Sequence, residues 1–94
     1  MNVQEIIEQS TSVIIDVRTP EEFERGYVTS SINIPFKELF ERVEEIKSFS
    51  APIVLCCLIG GRSEQARCYL NGRGIECFNG GGWMDVDGLV RRCA

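Results

Sequence analysis

Cys57 opens a short run, Cys57-Leu58-Ile59-Gly60-Gly61-Arg62-Ser63, in which a thiol is followed by two glycines, an arginine and a serine. A thiol is a nucleophile only as the thiolate, and here that form must be stabilised without histidine, because the chain has none. Ser-His-Asp and Cys-His catalysis and histidine metal sites are thereby excluded within this sequence. Activation is left to backbone amides, a helix terminus or a basic side chain, and the run offers all three. Gly60 and Gly61 free the backbone to turn several N–H groups towards one point. A helix opening at Arg62-Ser63 adds the positive end of its dipole, so an anion over the loop is stabilised and the pKa of a thiol at its first position is depressed. Cys57 is the candidate nucleophile, and Leu58, Ile59, Gly60, Gly61 and Arg62 form the candidate binding loop. The plainer reading, a small hydrophobe at a strand end, suits Cys56.

Such a loop must be held by a strand before it and a helix after it. Ile53-Val54-Leu55 running into the cysteine pair reads as a buried strand. The following helix has Ala66, Tyr69 and Leu70 at i, i+3 and i+4, with the stem of Arg67 along its flank, and stops at Asn71-Gly72-Arg73-Gly74. Upstream, Val3, Ile6 and Ile7 have helical spacing, broken at Ser10-Thr11. Ser12 to Val17 is an apolar, β-branched strand buried on both faces. Thr19-Pro20-Glu21-Glu22 is a helix start, with Thr19 as N-cap, Pro20 in the first helical position and Glu22 completing a capping box. Phe23 is expected to point inward and Gly26 to stop that helix. Ile32-Asn33-Ile34 is a short strand ended by Pro35. Phe36, Leu39, Phe40, Val43 and Ile46 predict one continuous helix whose charges form a solvated face. Ile75 to Phe78 is a last strand, Asn79-Gly80-Gly81-Gly82 a flexible turn, and Trp83 to Val90 a final segment. Strands alternating with helices predict an α/β domain with a mostly parallel sheet, whose ligands bind where the Cys57 loop emerges.

The 94 residues suit a single domain, 1–94, with 44% hydrophobic and 26% charged residues, which indicates neither disorder nor a membrane span. A formal net charge of −4, from 10 basic and 14 acidic side chains, argues against nucleic acid, leaving only a local patch at Arg62, Arg67 and Arg73 open. Five cysteines, an odd number without Cys-x-x-Cys spacing, together with an N-terminus lacking a basic start and apolar run, predict reduced thiols and a cytoplasmic protein. No cofactor or metal is implied, and a monomer is expected. Cys56 and Cys77 read as core positions and Cys93 as exposed. Cys68 reads as a buried helix position, with a resolving thiol as the alternative.

Ile15-Asp16-Val17-Arg18-Thr19-Pro20-Glu21-Glu22-Phe23, Gly26, Ile32-Asn33-Ile34-Pro35, Cys57 to Ser63 with Ala66, and Asn79-Gly80-Gly81-Gly82 together resemble a single-domain rhodanese from Val13 to Val86. The ending through Trp83-Met84-Asp85-Val86 is most similar to the small phage-shock-type members. The resemblance implies a rhodanese-like three-layer fold, with a central sheet flanked by helices, and sulfurtransferase chemistry. Cys57 would take sulfane sulfur from thiosulfate or a persulfide, carry it as a persulfide and pass it to a thiol or cyanide. The partners implied are small-molecule donors and acceptors, or a protein persulfide donor. The amides of Leu58 to Arg62 would surround the sulfur, and Arg62 would either hold the anion or brace the loop. Asp16 and Arg18 read as structural.

Two departures bear on this. The segment after Gly26 is Tyr27-Val28-Thr29-Ser30-Ser31 in place of the usual His-Ile-x-Gly-Ala. Leu58 and Ile59 lack the charge that some thiosulfate-preferring members carry there, which predicts thiosulfate to be a poor donor. Two rivals remain. Counting from Cys56 gives the Cys, five residues, Arg spacing of a cysteine-dependent phosphatase or arsenate reductase, although the sequence places no obvious acid for a leaving group and leaves only Asp85 and Asp87 open. The other is a non-catalytic rhodanese-like sulfur-carrier or binding module.

Overall fold

The computed structural model describes residues 2–9, 12–50 and 52–93. The strands are β1 (Val13–Asp16), β2 (Ile32–Asn33), β3 (Ile53–Cys57) and β4 (Cys77–Gly82), in one sheet of order β2-β1-β3-β4 whose interior strands β1 and β3 carry the apolar runs. All three pairings are parallel, in a register that sets Ile15 beside Ile32 and Leu55. The helices are α1 (Val3–Glu8), α2 (Pro20–Glu24), α3 (Phe36–Leu39), α4 (Val43–Lys47), α5 (Gly61–Gly72) and α6 (Trp83–Cys93).

Strand alternation divides the core into two layers. Ile15, Leu55 and Cys57 pack with Leu39, Val43, Ile46, Ala66 and Leu70 on the face covered by α3, α4 and α5. Ile14, Val54 and Cys56 pack with Ile6, Ile7, Val28 and Val86 on the face covered by α1 and α6. The architecture is therefore α/β in three layers, and the consecutive cysteines belong to opposite ones. Among the described residues no helix is long and apolar enough to cross a membrane.

The capping box forms as expected: Thr19 Oγ1 accepts from the Glu22 N–H at 3.2 Å and Glu22 Oε1 from the Thr19 N–H at 3.0 Å. Phe23 is only half-buried and stacks on Tyr27, ring centroids 4.3 Å apart. The expected break at Ser10-Thr11 lies outside the described residues.

Two expectations are corrected. The stretch from Phe36 to Ile46 is two short helices rather than one, interrupted at Phe40 to Arg42. Leu39, Val43 and Ile46 still enter the core, so the apolar spacing is the same for one helix or for two placed end to end. Arg42 spans the break, pairing with Glu38 at 3.3 Å and Glu45 at 3.0 Å. Nor are the glycines after Asn79 a flexible turn, because β4 runs through Gly82. Close approach requires glycine at position 80, where a Cβ would lie 2.7 Å from Val86 Cγ2 and 2.8 Å from Val54 Cγ1, whereas Gly81 is set by its φ of +84°.

Candidate active site

β3 ends at Cys57, which is only 1% exposed and faces the α5 layer. The chain then turns through Leu58 to Gly60 and enters α5 at Gly61. Gly60 makes the turn with φ +106°, and a Cβ there would sit 3.3 Å from Gly81 Cα, so both conformation and space call for glycine. The turn brings the Gly60 N–H to 2.9 Å from Cys57 Sγ. The Ser63 hydroxyl, fully buried in the first turn of α5, lies 3.3 Å from the same sulfur.

Burial by itself pushes the Cys57 thiol up. Hydrogen bonds from the Ser63 hydroxyl and from the N–H groups of Ser63, Gly60 and Ile59 outweigh it and hold the thiol below its ordinary value. The other cysteines of β3 and β4 behave oppositely. Burial, with the Asp16 charge second, drives Cys56 far up, and burial lifts Cys77 to about 11. Of two adjacent thiols, only Cys57 is tuned towards the thiolate. The phosphatase count would start from Cys56, a protonated thiol in the opposite apolar layer.

Ser63 is held by Asn79, whose Oδ1 lies 2.7 Å from Ser63 Oγ and accepts from the Gly81 N–H at 2.9 Å. Asn79 Nδ2 donates to the Gly60 carbonyl at 3.2 Å and to Glu64 Oε1 at 3.3 Å, which fixes the amide's orientation. The sequence marked Ser63 as a helix opener and Asn79 as a turn residue, both within the motifs that carry the resemblance, and assigned neither a role at the sulfur.

The predicted loop residues take unequal places. Gly60 donates to the sulfur, whereas Gly61 starts α5 with open space where a Cβ would stand. Leu58 and Ile59 turn their side chains to solvent, 53% and 86% exposed. The Arg62 guanidinium forms a bidentate pair with Glu22, Nη1 to Oε1 at 2.8 Å and Nη2 to Oε2 at 3.1 Å. This bond, with the Thr19 N–H second, lowers the Glu22 carboxyl to about 2. Arg62 thus braces the loop against α2. Two of the three cations of the basic patch are ion-paired, Arg62 with Glu22 and Arg67 with Glu64, whereas Arg73 keeps its charge over the Tyr69 ring at 5.0 Å.

Asp16 and Arg18 form a buried pair at 2.8 Å. Arg18 also donates to the carbonyls of Glu22 and Gly26 and lies 4.7 Å from the Trp83 ring centroid. Asn33 Nδ2 donates to the backbone carbonyls of Asp16 and Arg18. The group ties the end of β1 to α2, β2 and α6, a structural role as read. Asp87 is paired with Arg91 at 2.7 Å along α6. Cys68, expected to be buried, is exposed, because α5 buries Ser63, Ala66 and Leu70 and Cys68 lies off that stripe. Cys93 is exposed as expected.

A strand-end cysteine under a loop of inward amides at a helix start is the arrangement the sequence resemblance implied, and the sequence model of the rhodanese-like domain matches residues 2–86. The chain belongs to the rhodanese-like family. Its curated relatives include thiosulfate sulfurtransferase PspE of Escherichia coli (strain K12), 35% identical over 74 residues, 77% of this chain and 71% of that protein. The uncharacterized protein YqhL of Bacillus subtilis (strain 168) is 36% identical over 80 residues, 83% of this chain. The match spans only 63% of YqhL. Among solved structures, a rhodanese with anions from E. coli superposes with a TM-score of 0.70 at 34% identity, covering 79% of this chain and 89% of that one. The rhodanese-like fold explains why β4 carries glycines here: Gly82 lies against the active loop, and a Cβ on it would meet the Leu58 carbonyl oxygen at 2.8 Å.

Proposed function

We propose that this rhodanese-like chain is a sulfurtransferase with Cys57 as its nucleophile and sulfur carrier. The observation that carries the reading is the Cys57 sulfur at the end of β3, 2.9 Å from the Gly60 N–H and 3.3 Å from the Ser63 hydroxyl at the start of α5, contacts that lower its pKa. The Cys57 thiolate attacks the outer sulfur of the donor. The donor's sulfur–sulfur bond breaks, and sulfite or a thiolate leaves with the bonding pair. The sulfur remains on Cys57 as a persulfide, whose negative charge the same donors receive. A thiolate or cyanide then attacks the terminal sulfur, and Cys57 leaves as the thiolate.

The exposed apolar side chains of Leu58 and Ile59 favour a persulfide donor, small or protein-bound, over the thiosulfate dianion. We place the protein in the cytoplasm as a monomer, with residues 1–94 acting as one domain. The test is the intact mass of the reduced protein after exposure to thiosulfate or to glutathione persulfide, with Cys57→Ser and Cys56→Ser variants. Gain of a cyanide-removable sulfur atom in the wild type and Cys56→Ser, but not in Cys57→Ser, is expected. No uptake from either donor would reject the mechanism and turn attention to a phosphatase or a non-catalytic module.

A further inference from the structure

Glu22 reaches the active loop from α2, 40 residues away in sequence, and takes both terminal nitrogens of Arg62. Its carboxylate is also held by α2's own cap, Oε1 accepting from the Thr19 N–H at 3.0 Å and the Thr19 hydroxyl at 3.2 Å. Arg62 is the only cationic residue between Cys57 and Ser63. A carboxylate matched to the guanidinium fork cancels that cation and leaves the loop without a free positive side chain to receive a dianion.

Building on the sulfurtransferase reading, we propose that Glu22 determines donor specificity: by closing Arg62 in a bidentate ion pair, it turns Cys57 towards neutral or singly charged sulfane donors and away from dianions. A dianion must either displace Glu22 from the guanidinium or stand near a like charge. A persulfide RS–SH needs neither. The thiolate attacks its outer sulfur, the sulfur–sulfur bond breaks, RS⁻ leaves with the electron pair, and the proton stays on the new Cys57 persulfide. Glu22 acts through Arg62 and touches no reacting atom, so it is a positioning residue.

The test compares Glu22→Gln, which keeps the capping hydrogen bonds and deletes the charge, with Glu22→Asp, which keeps the charge. Glu24→Gln removes the same charge from an exposed position of the same helix. In Glu22→Gln the ratio of kcat/KM for thiosulfate to that for glutathione persulfide rises about fivefold, through KM. It stays at the wild-type value in Glu24→Gln and returns towards it in Glu22→Asp. A second arm needs no sulfur transfer: alkylation of Cys57 by anionic iodoacetate against neutral iodoacetamide, resolved by peptide mass spectrometry, with exposed Cys93 as internal reference. The iodoacetate-to-iodoacetamide ratio rises about fivefold at Cys57 in Glu22→Gln and not at Cys93. An unchanged alkylation ratio, or thiosulfate and persulfide moving together, overturns the proposal. A shifted alkylation ratio in a protein that turns over neither donor would support charge selection by Glu22 and overturn the sulfurtransferase reading instead.

Discussion

Ser63 Oγ lies among three partners, 3.3 Å from Cys57 Sγ, 2.7 Å from Asn79 Oδ1 and 3.1 Å from the Gly60 carbonyl oxygen, with one proton to share. Asn79 Oδ1 faces Ser63 as an acceptor because its Nδ2 is committed to Gly60 and Glu64. While Cys57 is protonated, its S–H can donate to Ser63 while the Ser63 O–H donates to Asn79 or to the Gly60 carbonyl. When Cys57 ionises, the O–H turns to the sulfur, and Asn79 Oδ1 retains the Gly81 N–H. The hydroxyl is therefore a donor specific to the thiolate. Ser63→Ala is expected to slow sulfur uptake at neutral pH about tenfold, the size of one lost charge-assisted hydrogen bond. Uptake rises with pH as Cys57 deprotonates, and because its thiol lies below the ordinary value, the plateau comes early. Ser63→Ala moves that rise to higher pH, read in the pH profile of Cys57 alkylation. An unmoved profile would remove Ser63 from the mechanism.

How much of this was legible in the chain depends on sequence distance. Cys57, Gly60 and the strand–loop–helix frame are local, and their chemistry follows from residue types within seven positions. The supports are not local. Ser63 meets Asn79 because β4 pairs with β3, and Glu22 meets Arg62 because α2 packs beside the start of α5, separations of 16 and 40 residues. Glu22 was visible as a cap and invisible as a counter-ion, since one carboxylate serves both and only the first role has a short-range signature. The break at Phe40 to Arg42 carries no glycine or proline to announce it. The exposure of Cys68, by contrast, could have been read from its offset against Ser63, Ala66 and Leu70.

Gly60 and Gly61 look alike in sequence and are expected to respond oppositely to alanine. At Gly60 the left-handed backbone costs an L-residue about 1–2 kcal/mol, added to the contact with Gly81 Cα at 3.3 Å. At Gly61 a Cβ meets nothing within 4 Å and the backbone is helical. Thermal unfolding should therefore show Gly60→Ala destabilised, while Gly61→Ala remains within about 0.5 kcal/mol of wild type or above it. Equal losses at both would place the strain elsewhere in the loop.

The Arg62–Glu22 pair gives acid stability a defined window. Glu22 is lowered from 4.5 to about 2, so its stabilisation is complete above 4.5 and is lost as pH falls through about 2. Glu22→Gln keeps the cap but not the charge. Its deficit against wild type, about 1 kcal/mol or less for a partly exposed pair, should be constant above pH 4.5 and vanish near pH 2. Urea unfolding of both proteins across that range measures it. A deficit independent of pH would assign the loss to packing rather than to the ion pair.

Ile59 offers the converse manipulation, a cation added where Glu22 cannot neutralise it. Its side chain is 86% exposed at the front of the loop, so Ile59→Lys buries no charge and loses little packing. The ammonium stays hydrated, which limits its attraction for a dianion. A fall in the thiosulfate KM of about threefold is expected, with little change for glutathione persulfide. Leu58, at 53% exposure, is the second choice, because a lysine there gives up more contact with the protein. Added salt should erase much of the gain, since an exposed charge is screened within about 10 Å at 0.1 M ionic strength. An unchanged or higher thiosulfate KM would mean that the donor does not approach across this face, and the apolar loop would no longer account for donor choice. Combining Ile59→Lys with Glu22→Gln separates two routes: effects that multiply place the new lysine and the freed Arg62 on the dianion independently, whereas a smaller combined gain means that they compete for the same oxygen atoms.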